Sequence, residues 1–247
     1  MTTPVERHLY VTWRRPEGLI VPVGRLTQVS TPDGVVYRFV YLKGAERETE
    51  FQALPGLPDL HRRYEGRTLF PVFANRVMPR DRPDFLEMLN QLDLLPAADP
   101  FEVLGRSEGI RATDRVEVFP DALRLPDGEL STVFFLRGIR HLDGAAAAVE
   151  HLREGDLLVM EAQPDNEVNP MAILLSTRTG EQVGWVPNYL LDLIGDLEHL
   201  NGQAPAITVE HVNPPSVAPH MRVLCRSTAP WPEGLVPFSG PDFQLLA

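Results

Sequence analysis

The side chains that carry most enzyme chemistry are scattered along this chain of 247 residues, without the spacing that a catalytic site needs. The seven histidines show no metal-ligand spacing, and the single cysteine, Cys225, cannot complete a zinc site. Ser107 and Ser131 have no adjacent base or nucleophile-elbow motif. Aspartate pairs at helical spacing are more typical of helix caps and solvated faces. The sequence therefore predicts a protein that is not an enzyme and holds no cofactor or metal.

Charge is distributed unevenly along the chain. The formal net charge is −11, but residues 1–120 are nearly neutral, with 16 basic and 17 acidic side chains. Residues 131–200 contain 4 basic and 11 acidic side chains, a net charge of −7. Because nucleic acid is held chiefly by basic side chains, this segment disfavours tight DNA binding unless its few arginines meet in one groove.

The cysteine count and the lengths of the apolar runs indicate the cellular compartment. One cysteine excludes an internal disulfide and fits a reducing environment. The N-terminal segment has no apolar core of a signal peptide, and no apolar run approaches the roughly 20 residues of a membrane span. We therefore expect a cytoplasmic protein without membrane contact.

The densest cluster of turn and strand signals lies between Asp165 and Tyr189. A polar loop at 165–170 precedes an apolar run at 171–175, and a turn at Thr179-Gly180 leads to a second apolar run at 183–186. Pro187 fits the first turn of a helix. These signals predict a β-hairpin with a helix attached.

The elements around this hairpin divide into two domains of an α+β protein. Residues 1–119 predict a β-meander, with strands near 9–13, 21–26 and 35–41, followed by helices capped at Asp81 and Asp99. Residues 120–130 contain two prolines and a Pro-Asp-Gly turn, which predicts a linker. Residues 131–247 predict a small β-barrel with flanking helices and a C-terminal extension.

The second domain resembles the HIRAN family. The resemblance depends on three blocks, which are Arg137-Gly138-Ile139-Arg140-His141, Asn166-x-x-Asn169-Pro170-x-Ala172-Ile173 and Gly180-x-x-Val183-Gly184-x-Val186-Pro187. It implies a small β-barrel with flanking helices over residues 131–200. In a DNA-binding member of that family, the module grips the 3′ end of single-stranded DNA.

The resemblance implies five candidate binding residues, which are Arg140, His141, Asn166, Asn169 and Trp185. Arginine can hold phosphate by a bidentate contact, an aromatic ring can stack on a base, and an asparagine amide can bond a base edge. Arg140 and Asn166 match the DNA-binding pattern, whereas His141, Val168, Asn169 and Trp185 depart from it. The alternatives are a surface pair at a strand end, asparagines that cap their own loop, and a tryptophan packed on the hairpin.

The first domain resembles the N-terminal subdomain of HipA-type kinases, through Leu9-Tyr10-Val11, Val23-Gly24-Arg25-Leu26, Tyr37-x-Phe39-x-Tyr41 and Phe73-x-Asn75-Arg76. No kinase catalytic motif accompanies these residues. The resemblance implies a domain that docks a protein partner, such as a HipA-type kinase or a genomic neighbour.

Together these patterns predict a bacterial accessory or regulatory protein in a toxin–antitoxin or phage-defence setting. Its first domain would dock a protein, and its second would bind nucleic acid, most plausibly a single-stranded DNA 3′ end. One alternative is an adaptor in which both domains bind proteins and the nucleic-acid site has decayed. Another is an enzyme subunit that needs a partner for its chemistry.

Overall fold

A computed structural model describes residues 5–247 and confirms the α+β class, with two antiparallel sheets and several helices. The first four residues, with which the predicted first domain begins, lie outside the described part. The chain forms two compact units. The first comprises residues up to 90, 94–121 and 238–247, and the second comprises 91–93 and 122–237. No helix in the described range is both long and apolar enough to cross a membrane.

The first unit is built on a five-stranded sheet. Its elements in chain order are β1 (Val5–Arg14), β2 (Ile20–Thr31), β3 (Gly34–Tyr41), α1 (Lys43–Arg47), β4 (Tyr64–Gly66), α2 (Pro71–Ala74), α3 (Phe85–Gln91), α4 (Pro100–Arg106) and β5 (Val116–Pro120). The strand order is β4-β3-β2-β1-β5, and all neighbours are antiparallel. The predicted meander is therefore present as β1, β2 and β3.

Helix α4 begins as the sequence predicts. Asp99 is the N-cap residue, and its carboxylate accepts a hydrogen bond from the Glu102 N–H at 2.9 Å. Burial raises the pKa of Asp99, but this backbone bond and the Arg7 guanidinium outweigh it, so the net shift is downward. The helix then packs on the sheet through Gly105, where a side chain would overlap Leu9.

The two faces of β1 are covered by different parts of the chain. Leu9 and Val11 belong to the core that contains Phe73, Phe101 and Leu104. Tyr10 points the other way and packs against the rings of Phe119, Phe238 and Phe243, with centroid separations of 5.1 to 5.4 Å. Phe119 and Phe238 also contact each other, with a centroid separation of 5.0 Å. Consequently the face opposite the helices is also an apolar layer.

That second layer depends on the last ten residues. The Lys43 N–H donates to the Gln244 carbonyl at 2.8 Å, and the Leu246 N–H donates to the Tyr41 carbonyl at 3.0 Å. A 3-10 helix at Pro241–Phe243 comes just before these bonds and carries the Phe243 ring that packs on Tyr10. The sequence prediction gave the second domain all residues up to 247, whereas residues 238–247 lie with the first unit. Aromatic burial against Tyr10 is the physical reason.

The second unit is built on a seven-stranded antiparallel sheet that curls into a half-barrel. Its strands and helices are β6 (Leu123–Arg124), β7 (Glu129–Phe135), α5 (Ala145–His151), β8 (Leu157–Ala162), β9 (Ile173–Ser176), β10 (Gln182–Trp185), α6 (Leu191–Asn201), β11 (Ala206–Val212) and β12 (Val223–Pro230). The strand order is β10-β9-β8-β11-β12-β7-β6. Short 3-10 helices lie at Ile139–His141, Asn188–Leu190 and Pro219–Met221.

The predicted linker at 120–130 is wrong as a description of this backbone. Pro120 ends β5, and β6 pairs with β7 in a hairpin. The Pro126-Asp127-Gly128 sequence is its turn, in which Gly128 has a φ of 91° and its N–H bonds the Leu125 carbonyl at 3.0 Å. A turn signal within a proline-rich stretch fits a hairpin as well as a linker, and strand pairing decided between them.

Candidate functional site

The candidate residues are positioned by the closing edge of the curled sheet. The end of β10 forms an antiparallel bridge with the residue that follows β7, because Arg137 and Trp185 exchange two backbone hydrogen bonds, both of 2.9 Å. Gly184 permits this close approach, since a Cβ there would lie 2.9 Å from the Arg137 carbonyl oxygen. The bridge brings the first and third sequence blocks together.

The β8–β9 loop reaches the same rim. Residue Ala162 at the end of β8 pairs with Ile173 at the start of β9, and the Val186 N–H donates to the Ile173 carbonyl at 3.0 Å. Since Val186 follows Trp185 directly, the loop at 163–172 and the end of β10 leave the sheet at one end. The topology therefore places all five candidate residues on segments that emerge from one rim.

Arg140 and His141 lie in a 3-10 helix instead of at a strand end. Gly138 starts this helix with a φ of 69°, a left-handed conformation that glycine adopts without strain. Both side chains are exposed, and Arg140 Nε donates to Nε2 of the His141 ring at 3.0 Å. The arginine is thus held beside an exposed aromatic ring.

Trp185 packs on the same turn. A Cβ at Gly138 would lie 2.4 Å from Trp185 Cε3, so the indole covers the glycine where any side chain would overlap it. The ring is partly exposed, but its Nε1 is buried and has no hydrogen-bond partner among the described residues. Trp185 is therefore a packed rim residue that also leaves part of its ring in contact with solvent.

Asn166 and Asn169 hold the loop in shape. Asn166 Oδ1 accepts from the backbone N–H groups of Val168 and Asn169, both at 3.0 Å. Asn169 Oδ1 accepts from the Met171 N–H at 3.0 Å, and its amide donates to Asn188 Oδ1 at 3.2 Å. These bonds correspond to the loop-cap alternative, so the asparagines shape the rim with atoms that a ligand would otherwise use.

Sequence reasoning missed two residues that build this rim. Gly138 was part of a quoted motif, but its left-handed turn and its contact with Trp185 give it a separate function. Asn188 ties the loop to the 3-10 helix through Asn169, which lies 19 residues away. Gly138 could have been found as the glycine within the segment Arg137-Gly138-Ile139-Arg140. The contact between Asn169 and Asn188 leaves no local signal, because the two residues are 19 positions apart.

The electrostatics of the rim are mixed. Arg137 and Arg140 contribute two positive charges, and the exposed side chains Asp143, Glu161, Asp165 and Glu167 lie on the neighbouring segments. The exposed Arg140 guanidinium can hold a phosphate, but it cannot neutralise a long strand. Within the described residues, no cluster of His, Cys, Asp or Glu could hold a metal ion.

Comparisons with known proteins give few matches. No protein-family model and no curated protein matches the chain. A crystal structure of a protein from Lactobacillus plantarum is similar at 18% identity and a TM-score of 0.33, over 41% of this chain and 98% of that one. The HIRAN domain of human HLTF is similar at 15% identity and a TM-score of 0.31, over 42% of this chain and 80% of that one. The structural neighbours thus include a HIRAN domain, and the HipA resemblance of the first unit stays a prediction.

Proposed function

We propose that this protein is a non-enzymatic accessory protein whose second unit binds the end of a single-stranded nucleic acid at the rim of the curled sheet. The observation that supports it is the exposed Arg140–His141 pair, which lies on the turn covered by Trp185. Arginine beside aromatic rings is the combination that holds a phosphate and stacks a base.

The acidic surroundings favour a strand end over an internal stretch of strand. Tracking along a strand requires a groove with many cations, because each phosphate contact contributes through counterion release. A terminus needs one phosphate contact and one stacked base. The rim has the side chains for that smaller task, and its carboxylates repel the rest of a polyanion.

Fluorescence anisotropy with end-labelled oligonucleotides tests this proposal. Single strands with a free 3′-hydroxyl should bind more tightly than the same strands with a 3′-phosphate, because the exposed carboxylates on the neighbouring segments repel the added terminal charge. They should also bind more tightly than blunt duplexes, whose terminal bases are already paired and stacked. The slope of log affinity against log salt should be small, about −0.7, because one phosphate is contacted. Equal affinity for all three ligands would contradict end recognition.

The chain offers a matched control for the arginine. Arg140→Gln should weaken binding about tenfold or more, as expected when a hydrogen bond to a charged group is lost. Arg178→Gln removes the same charge from an exposed arginine in the β9–β10 turn, at the opposite end of the hairpin, and should have little effect. Equal effects of the two substitutions would mean that only overall charge matters.

A second candidate function is a protein-interaction adaptor, favoured by the apolar side chains on the same loop. Val168 and Met171 are 61% and 63% exposed. Undetectable or salt-insensitive binding of oligonucleotides at micromolar protein would favour this alternative. The partner kinase, and the toxin–antitoxin or phage-defence setting, stay predictions from the sequence resemblance.

A further inference from the structure

The first unit contains a trough that the nucleic-acid proposal does not use. Its volume is about 740 Å³, which is within the usual range for ligand sites. Its walls are mainly apolar and aromatic, and they include Trp13, Phe51, Leu57, Phe70 and Val72. Three of these aromatic side chains, at positions 13, 51 and 70, are partly exposed. The trough therefore presents an apolar surface to solvent.

One wall of the trough is anchored by a buried tyrosine. The Tyr41 hydroxyl donates to the Leu57 carbonyl and accepts from the Leu54 N–H, both at 2.7 Å. The Tyr41 ring also packs edge-on against Phe51, with a centroid separation of 6.1 Å. These contacts fix residues 51–57, which belong to no strand, so this wall is in place before any ligand arrives.

Another part of the trough lining is held by a buried arginine. The Arg76 side chain is 3% exposed and donates to the carbonyls of Val72, Gly109 and Val116, at 3.1, 2.7 and 3.3 Å. It also pairs with Asp114 at 2.6 Å, which neutralises that carboxylate. All three of its side-chain nitrogens donate to the chain itself, so the buried Arg76 shapes the loop from 109 to 116 instead of facing a ligand.

That loop carries two arginines to the edge of the trough. Arg111 and Arg115 both line it, are exposed, and have no side-chain partner among the described residues. Glu50 also lines the trough, and Asp114 is already paired with Arg76. The free charge around the apolar walls is therefore two guanidiniums against one carboxylate.

We infer that the trough binds a short acidic peptide segment of a partner protein, with an apolar or aromatic side chain packed against the partly exposed rings of Trp13, Phe51 and Phe70 and carboxylates paired with Arg111 and Arg115. A guanidinium matches a carboxylate by a bidentate contact, and aromatic walls bury an apolar side chain. Nucleic acid is disfavoured, because two cations opposed by Glu50 cannot neutralise several phosphates. This inference is independent of the rim in the second unit.

The test uses the full chain and a fluorescein-labelled hexapeptide, DEFDLE, followed by anisotropy. Two comparison peptides separate the two halves of the proposed recognition. NQFNLQ keeps the apolar side chains without the charges, and DEADAE keeps the charges without the large apolar groups. We expect DEFDLE to bind measurably and both comparison peptides to bind at least threefold more weakly.

Variants locate the site. Arg111→Gln combined with Arg115→Gln should weaken DEFDLE about three- to tenfold, since exposed ion pairs have modest energies, and the loss should shrink at high salt. Arg67→Gln is the matched control, because Arg67 is an exposed arginine of the same unit that does not line the trough. Phe51→Ala should also weaken binding, and circular dichroism checks that this variant is folded.

Three results would overturn the inference. One is the absence of DEFDLE binding at millimolar peptide, and another is equal affinity for all three peptides. The third is binding of labelled single-stranded DNA that Arg111→Gln and Arg115→Gln abolish, which would assign the trough to nucleic acid. Since the two arginines are exposed, their variants should fold normally, and the test does not depend on the Phe51 variant.

Discussion

Gly138 is the residue at which a single added methyl group should most disturb the candidate rim. Its φ of 69° costs an alanine about 1–2 kcal/mol. The new Cβ would also lie 2.4 Å from Trp185 Cε3 and 2.6 Å from Cζ3, two atoms of a rigid ring. Overpacking of this kind costs roughly 1–3 kcal/mol. We therefore expect Gly138→Ala to lower the free energy of unfolding of the second unit by about 2–5 kcal/mol.

Gly144→Ala separates the two contributions. Gly144 has a similar φ of 78°, and a Cβ there would meet no atom within 4 Å. It should therefore show the backbone cost alone, about 1–2 kcal/mol. The difference between the two variants measures the contact with the indole ring.

Urea unfolding followed by tryptophan fluorescence gives both values. The measurement is made in a Trp13→Phe background, so that the signal comes from Trp185 and Trp231 in the second unit. Gly138→Ala should also shift the native emission, because the ring it displaces is one of the two fluorophores. If the two alanine variants lost equal stability and left the emission unchanged, the packing of Trp185 on this turn would be refuted.

Further predictions concern other hydrogen-bonding and ionisable groups. Tyr41→Phe leaves the Leu54 N–H and the Leu57 carbonyl without their partner, so the first unit should lose about 1–3 kcal/mol in urea unfolding; an unchanged value would contradict this. Asp99→Ala removes a helix cap and should cost about 1 kcal/mol at neutral pH. Because folding lowers the pKa of Asp99, its stabilisation is present above the ordinary value of 3.8 and is lost as the pH falls through the lower folded value. The difference from wild type should shrink below about pH 4, and a constant difference down to about pH 2 would argue against the linkage. Burial raises the pKa of the Cys225 thiol, so this thiol should react with Ellman's reagent only after unfolding, and rapid reaction in the native protein would show the burial to be wrong.

Local signals predicted much of the fold. The Pro32-Asp33-Gly34 turn gave the β2–β3 hairpin, and the Asp99 cap gave helix α4. The turn at Thr179-Gly180 gave the β9–β10 hairpin, where Gly180 has a φ of 90°. In each case the deciding interaction lies within a few residues, so the sequence pattern and the structure have the same physical cause.

Contacts between residues that are far apart in the sequence were harder to predict. The bridge from Arg137 to Trp185 and the bond from Asn169 to Asn188 depend on how the sheet curls, which no short window contains. The sequence resemblance alone grouped the candidate side chains. The bonds from the loop backbone to the Asn166 and Asn169 oxygens were only one of the alternatives that the sequence left open. The return of Phe238 to Tyr10 likewise follows no periodic pattern.

The return of the last ten residues has a consequence for biosynthesis. In sequence, residues 122–237 of the second unit separate Phe238 and Phe243 from the rest of the first unit. All of these residues must therefore emerge from the ribosome before Phe238 and Phe243 can reach Tyr10. Until then the nascent chain exposes an aromatic patch, which is a site for chaperone capture or aggregation. Expression of residues 5–121 alone should therefore yield an aggregation-prone fragment, whereas co-expression with the 238–247 peptide offers a route to rescue it.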